Sequence, residues 1–272
     1  MLSKWKDKVV IITGGSSGIG LALARLFVNE GAKLYLIARD YEKLRLAADA
    51  LKTHALGSTC INVIAVDVSD CEKITRTIQS IGEAEGEIDL LINNAGLMRC
   101  GKFSEIPIED FELSIQSNFM GSLYASKAAW KYLAAAKGHI GFVGTVAGYI
   151  GLIGYAAYSP SKFAMTGLAE CLRMEGKTNG IKVSIIYPGD VQTPLLEYEH
   201  SHALPEMRAL NKEVEMKTPD EVAAIFKKKI EAGKFEIYCD GESRIYRVLK
   251  VLLPKLFYST IDRTAKKARN IY

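Results

Sequence analysis

A chain of 272 residues, 49% hydrophobic and 24% charged, can bury the core of one large α/β domain. Its net charge of +4 argues against a nucleic-acid partner for the chain as a whole. Its five cysteines form no CxxC pair and its four histidines no HExxH pattern, so no metal site is expected and the thiols are read as reduced.

The opening MLSKWKDKVVIITGG lacks the shape of a signal peptide, and KVVIIT (8–13) reads as a first strand buried on both faces. SGIGLALARLFVNEG (17–31) has helical spacing and stops at a glycine, AKLYLIA (32–38) is a second strand, and DYEKLRLAADALKTHA (40–55) is an amphipathic helix. CINVIAVDV (60–68) is a third strand, and the spacing predicts a helix over 69–86 with Ser69 as its cap. IDLLINNAG (88–96) is a fourth strand with a turn, followed by one long helix over 107–135 and a strand at 138–145. A helix over 159–177, a strand at 181–189, a helix over 219–233 and a short strand at 235–239 complete the series. No run approaches the roughly 18 apolar residues of a membrane-spanning helix.

Such alternation of strand and helix predicts one doubly wound parallel sheet of the Rossmann type, helices on both faces, with ligands bound beyond the carboxyl ends of the strands. The long irregular segment 190–218 is expected to be an active-site lid, with His200 and His202 as solvated loop residues. Residues 1–242 are expected to form this domain, and 243–272 a basic amphipathic extension.

TGGSSGIG (13–20) lies between the first strand and the first helix. Gly14, Gly18 and Gly20 permit close backbone approach, and the helix start behind them offers free N–H groups to a pyrophosphate. The end of the second strand reads IARD. Ala38 cannot accept the ribose hydroxyls that an acid would hold in an NAD site, whereas Arg39 suits a 2′-phosphate, so NADPH is the expected cofactor. The alternative is that Arg39 is a solvated charge at a helix start, with Asp40 as the helix cap.

Further on, Tyr158 and Lys162 stand one helical turn apart in YSPSK and share a face. Pro160 between them fits a first turn, which puts Tyr158 at the helix start. A free phenol has a pKa near 10, and a neighbouring ammonium is expected to lower it toward working pH.

TGGSSGIG, Asp67-Val68, NNAG (93–96), Asn118, Thr145, Tyr158 with Lys162, Pro188-Gly189 and Thr193 occur in order, and with them most of the chain resembles the short-chain dehydrogenase/reductase family. The resemblance implies catalysis by Asn118, Thr145, Tyr158 and Lys162, Thr145 standing where serine is more common. It implies cofactor contacts from Gly14, Ser16, Ser17, Gly18, Ile19, Gly20, Asp67, Val68, Asn94, Ala95, Gly96, Tyr158, Lys162, Pro188, Gly189, Val191 and Thr193, with Arg39 as argued above. Asn118 would support a proton relay to Lys162, and Thr193 would touch the nicotinamide amide. Asp67 reads equally well as a turn acid.

Tyr149, Ile150, Tyr155, Leu195 and Leu196 suggest an apolar substrate pocket, with packing in the core or an interface as the alternative for some of them. The wording AGYIGLIGYAAYSPSKFAMTGLAECLRME is similar to that of 3-ketodihydrosphingosine reductases within the family, which implies reduction of a ketone on a long-chain amino-lipid. YPGDVQTP departs from that wording, as does Thr145. The alternatives are a reductase of a 3-oxoacyl thioester or a steroid, and a non-catalytic NADPH-binding regulator.

The tail 243–272 holds eight basic residues against Asp262, a net +7 that leaves −3 for residues 1–242. It reads either as a peripheral membrane contact or as a helix docked on the domain. A cytoplasmic protein, membrane-associated through this tail, and a homodimer or homotetramer are the remaining expectations.

Overall fold

The structure, a computed structural model, describes residues 3–55, 59–211 and 216–269. Seven strands form one wholly parallel sheet: β1 (Val9–Thr13), β2 (Lys33–Ala38), β3 (Ile61–Ala65), β4 (Leu90–Asn93), β5 (His139–Val143), β6 (Lys182–Tyr187) and β7 (Glu236–Tyr238). Their order is β3-β2-β1-β4-β5-β6-β7. The chain winds outward from β1 to β3 and then returns to β4. The crevice between β1 and β4 is therefore the place where this topology opens a ligand site.

Side-chain alternation along the strands feeds two cores. Val10 and Ile12 of β1 pack with α1 (Gly18–Val28), α2 (Tyr41–Lys52) and residues Val222 to Ile230, while Val9 and Ile11 face the opposite layer. That layer holds α3 (Cys71–Glu85), α5 (Gly121–Ala136) and α6 (Ser159–Gly176), with α4 (Ile108–Ser114) leading into α5. Then come α7 (Pro194–His202), α8 (Pro205–Asn211), α9 (Pro219–Glu231), α10 (Gly241–Leu252) and α11 (Pro254–Arg269). The predicted doubly wound sheet is the observed one, strand for strand.

Three expectations are corrected. α3 is capped by Asp70, whose carboxylate accepts the Lys73 N–H at 3.0 Å; Ser69 instead donates to Asp67. The single helix over 107–135 is broken in register by a π-helical turn, Ile115–Met120, which separates α4 from α5. The segment 190–218 is not irregular: its described residues hold α7 and α8, so the exposed His200 and His202 are helical. Residues 212–215 of that segment lie outside the described residues.

The tail docks on the domain. Tyr149 donates its hydroxyl to Ser243 O at 2.7 Å, Lys250 Nζ donates to Tyr149 O at 2.5 Å, and Arg247 pairs with Glu236 at 2.6 Å. On its outer side α10 and the turn after it leave Ile245, Val248, Val251, Leu252 and Leu253 exposed.

Candidate active site

A cleft of about 1200 Å³ lies at the carboxyl end of the sheet. The segments that follow β1 to β7 all reach it, from Gly14 and Arg39 through Asp67, Asn94 and Thr145 to Pro188 and Asp240. Helices α7, α10 and α11 close its sides with Leu195, Leu249 and Phe257.

Its floor at one end is the glycine loop. Gly18 has φ +53°, a conformation that side chains rarely adopt. A Cβ on Gly18 would lie 3.0 Å from Thr193 Cγ2, and one on Gly14 would lie 2.7 Å from Asn94 Nδ2. Helix α1 begins without a side-chain cap from Ser17, so its first-turn amides remain open toward the cleft. Asn94 fixes the loop by donating to Thr13 O and Gly14 O, both at 3.0 Å, and Thr13 Oγ1 accepts the N–H groups of Asn94 and Ala95 at 3.1 Å each. A narrow backbone cradle beside an uncapped helix start fits a pyrophosphate. Gly20 is set back from the cleft: its Cβ would strike Gly14 O, so its smallness serves the packing of the loop on α1.

Arg39 and Lys43 border the same end, both exposed. Asp40 caps α2 by accepting the Lys43 N–H at 3.0 Å. Asp67 accepts the Ser69 N–H and hydroxyl at 2.9 and 2.7 Å, so it is a turn acid that also lines the cleft. Ser16, Ser17, Ile19, Val68, Ala95, Gly96, Pro188, Gly189, Val191 and Thr193 line it as well. Thr193 donates to Val191 O at 3.1 Å and caps α7.

At mid-cleft, Tyr158 sits at the N-cap of α6 and Pro160 lies in the first turn, as the spacing requires. Both Tyr158 and Lys162 line the cleft while only 5% and 4% exposed. Lys162 Nζ donates to Val143 O at 3.0 Å and lies 5.8 Å from the centre of the Tyr158 ring. Thr145 Oγ1 accepts the Ala147 N–H at 3.3 Å, which orients the hydroxyl at the mouth of β5. Burial, with a smaller contribution from the Glu199 carboxylate, holds the Tyr158 phenol well above its ordinary pKa. The expected lowering by the ammonium is not found: burial and Glu199 both act upward on the phenol. Burial also brings the Lys162 ammonium down to about 8.

Asn118 stands behind this pair, fully buried in the π-helical turn. Its Oδ1 accepts the Leu97 N–H at 2.8 Å, and its Nδ2 donates to Leu97 O at 3.0 Å and Ser161 Oγ at 2.9 Å. The side chain is therefore spent on tying the loop after β4 to α6. Gly96 is wedged between Asn118 and Lys162, where a Cβ would lie 3.0 Å from Asn118 Oδ1 and 3.6 Å from Lys162 Nζ.

Next to Tyr158 the wall is apolar: Met98, Ala147, Tyr155 and Met207 form a buried cluster with Leu152, Leu195 and Leu204 at its edge. Ile150, Tyr155, Leu195 and Leu196 line the cleft as expected. Tyr149 does not. It is 4% exposed, packs edge-on against Tyr187 at 5.1 Å and spends its hydroxyl on α10. Lys43, Thr13 and Glu199 were not singled out by sequence. A lysine and a glutamate on helices read as solvated charges, and a threonine ending a strand reads as β-former; only the fold brings the first two to the cleft and the threonine under the loop after β4.

Comparison with known proteins places the chain in a family. The short chain dehydrogenase family model matches residues 8–203. A 3-dehydrosphinganine reductase of Danio rerio is 38% identical over 232 residues, 83% of this chain and 69% of that protein. A 3-ketodihydrosphingosine reductase of Dictyostelium discoideum is 34% identical over 275 residues, covering 95% and 82% respectively. The crystal structure of levodione reductase superimposes with a TM-score of 0.81 at 25% identity, over 89% of this chain and 99% of that one. The chain belongs to the short-chain dehydrogenase family. It is an oxidoreductase acting on the CH–OH/C=O pair.

Proposed function

We propose that the protein uses NADPH to reduce the ketone of a long-chain lipid of the 3-ketodihydrosphingosine type to a secondary alcohol. The observation that carries this reading is the position of Tyr158 and Lys162, where a glycine cradle suited to a dinucleotide meets an apolar pocket. The names of the relatives in Danio rerio and Dictyostelium discoideum supply the substrate class.

In this reading the open amides of α1 and the Gly14–Gly18 backbone hold the pyrophosphate, and Arg39 with Lys43 holds a 2′-phosphate that an adenosine ribose without it would not offer. The dihydronicotinamide, when bound, supplies the hydride. Tyr158 supplies the proton: its buried phenol stays protonated through the physiological range and donates to the ketone oxygen, with the Thr145 hydroxyl as the second donor. Lys162 places a cation beside the phenolate left behind, and Asn118 keeps α6 and the loop after β4 in register. The apolar cluster around Tyr158 and the inner faces of α10 and α11 receive the alkyl chain.

Among the described residues no helix is long and apolar enough to cross a membrane. In our reading the protein is cytoplasmic and meets its lipid at a membrane surface through the outer face of α10 and α11. It associates as a homodimer or homotetramer by the faces of α4 and α5, since α10 already lays Lys250 over Phe163 and Arg247 near Glu170 of α6.

The test is NADPH consumption over ketones of graded chain length, 3-ketodihydrosphingosine among them. Turnover should rise with chain length, and Tyr158→Phe should lose roughly 10²–10⁴-fold in kcat with cofactor affinity kept. Arg39→Ala should cut the preference for NADPH over NADH by roughly 10-fold or more. Full activity in the phenylalanine variant would remove Tyr158 as donor. Turnover confined to 3-oxoacyl thioesters or steroids would move the substrate, and NADPH binding with no turnover of any ketone would make the protein a regulator.

A further inference from the structure

Helix α11 gives the cleft a wall that an alkyl chain can lie along. Leu256, Phe257, Thr260, Ile261 and Thr264 all line the cavity, and their spacing puts them on one continuous helical face. From Phe257 to Thr264 that face runs two turns, about 10 Å. Both hydroxyls in it are spent on the helix itself: Thr260 donates to Leu256 O at 2.9 Å and Thr264 to Thr260 O at 3.1 Å. An apolar ligand therefore strands neither of these hydroxyls. Phe257 is 5% exposed, while Leu256 and Tyr258 on either side of it are 58% and 48% exposed, so its ring is turned into the protein.

This face is continuous with the pocket at Tyr158. Phe257 and Ile150 belong to one apolar cluster, against which Leu249 and Ile261 pack. Leu152 packs at the edge of that cluster and also of the one that holds Tyr155, Tyr158 and Met207. Helix α8, which carries Met207, lies against α11. We propose that α11 is a chain-length gauge, in which Phe257 and Ile261 are specificity-determining residues for the alkyl part of the ketone. The inference deepens the reading given above and rests on it for the presence of an alkyl chain. With the carbonyl at the Tyr158 hydroxyl, the chain passes Leu152 and Ile150 and then follows the α11 face. Each methylene that leaves water there strengthens binding roughly fourfold, so kcat/KM climbs with length until the chain has run past the wall. Bulk at Phe257 and Ile261 sets where that limit falls, because a close-packed apolar wall resists an added group. The glycine cradle belongs to β1 and α1, and Thr145, Tyr158 and Lys162 to the stretch from β5 to α6, so α11 reads length and leaves the chemistry to them.

The experiment measures kcat/KM over 3-keto amino-lipids of graded chain length, with NADPH, for wild type, Phe257→Ala and Ile261→Trp. Wild type should show a length of highest kcat/KM. Phe257→Ala opens the wall and should move that length upward. Ile261→Trp narrows it and should move that length downward, lowering the ratio of long-chain to short-chain kcat/KM roughly 10- to 100-fold. A Phe257→Ala chain whose α11 merely comes loose would lose its length dependence without a shift; Ile261→Trp leaves the Phe257 ring in place and decides the matter. An optimum that stays at the wild-type length in Ile261→Trp, or a loss equal at every length, overturns the gauge and leaves the lipid reading standing. A wild type indifferent to chain length would sink the lipid reading and the gauge with it.

Discussion

At Lys162 the requirements of function and stability oppose one another. Its ammonium is 4% exposed, with Val143 O as its hydrogen-bond partner, and burial lowers its pKa from 10.5 to about 8. A folded-state pKa below the unfolded one means that between pH 8 and 10.5 the unfolded chain binds a proton the native chain does not. Through this group, stability rises with pH across that window, and below pH 8 the charged side chain holds the fold back by its full desolvation cost, on the order of 3 kcal/mol. Lys162→Met should therefore raise the thermal midpoint at pH 7 while abolishing ketone reduction, a trade common at active sites. The same value fixes a pH limb. In the free enzyme kcat/KM for reduction should fall above about pH 8, as the cation beside Tyr158 is lost, while the phenol itself stays protonated. Scanning calorimetry of the methionine variant checks the first expectation and a pH–rate profile the second; a lower midpoint, or a flat profile to pH 9.5, would show that burial of this amine is not what sets its charge.

Among the elements, the lid is held where one glycine allows it. Gly154, φ +83°, abuts α8 so closely that a Cβ would lie 2.3 Å from the sulfur of the fully buried Met207. Gly154→Ala adds left-handed strain of roughly 1–2 kcal/mol and drives α8 outward. The expected result is a lower thermal midpoint and a raised KM for the long-chain ketone, with the dissociation constant of NADPH unmoved, because the glycine cradle belongs to β1 and α1. A KM that stays put would detach α8 from the substrate pocket. That α8 exists at all was hard to foresee. Helices α7 and α8 are short and start at prolines that equally mark a loop, and α7 carries little amphipathic contrast, so the segment 190–218 reads as irregular. The β-branched strands and the TGGSSGIG turn declare themselves because burial on both faces and close backbone approach restrict residue type strongly. So do Tyr158 and Lys162, whose spacing is a local property of one helix. The π-helical turn at Ile115–Met120 leaves no such mark, since a shift in hydrogen-bond register imposes no composition. Tyr149 was misplaced for the same reason as Glu199 escaped notice: an apolar loop residue and a helical glutamate take their meaning from α10 and from the cleft, which are distant in sequence.

For the molecule as a whole, the tail joins the cleft to the surroundings. Leu249, Phe257, Thr260 and Ile261 turn inward to line the cavity, whereas Val251 and Leu252 stand 72% and 70% exposed at the turn between α10 and α11, beside Leu253 and Leu256. Arg244, Lys255 and Arg263 share this segment, and its net charge of +7 contrasts with −3 for residues 1–242. A rim of apolar side chains edged by cations is complementary to an anionic bilayer, in which the chains sit among acyl tails while the cations meet headgroups. A lipid ketone could then pass from the bilayer to Tyr158 between α10 and α11 without crossing water. Replacing Val251 and Leu252 together by glutamate leaves the inward residues and the Tyr149, Arg247 and Lys250 anchors in place, so the cleft should remain formed. Flotation with phosphatidylserine-containing vesicles should drop several-fold in the double variant and fall for wild type as salt is raised. Turnover of vesicle-embedded ketone should drop with it, while turnover of a short, water-soluble ketone stays at the wild-type rate. Undiminished flotation, or a double variant whose only change is a smaller sedimentation coefficient, would assign the apolar rim to a second copy of the chain instead of a bilayer.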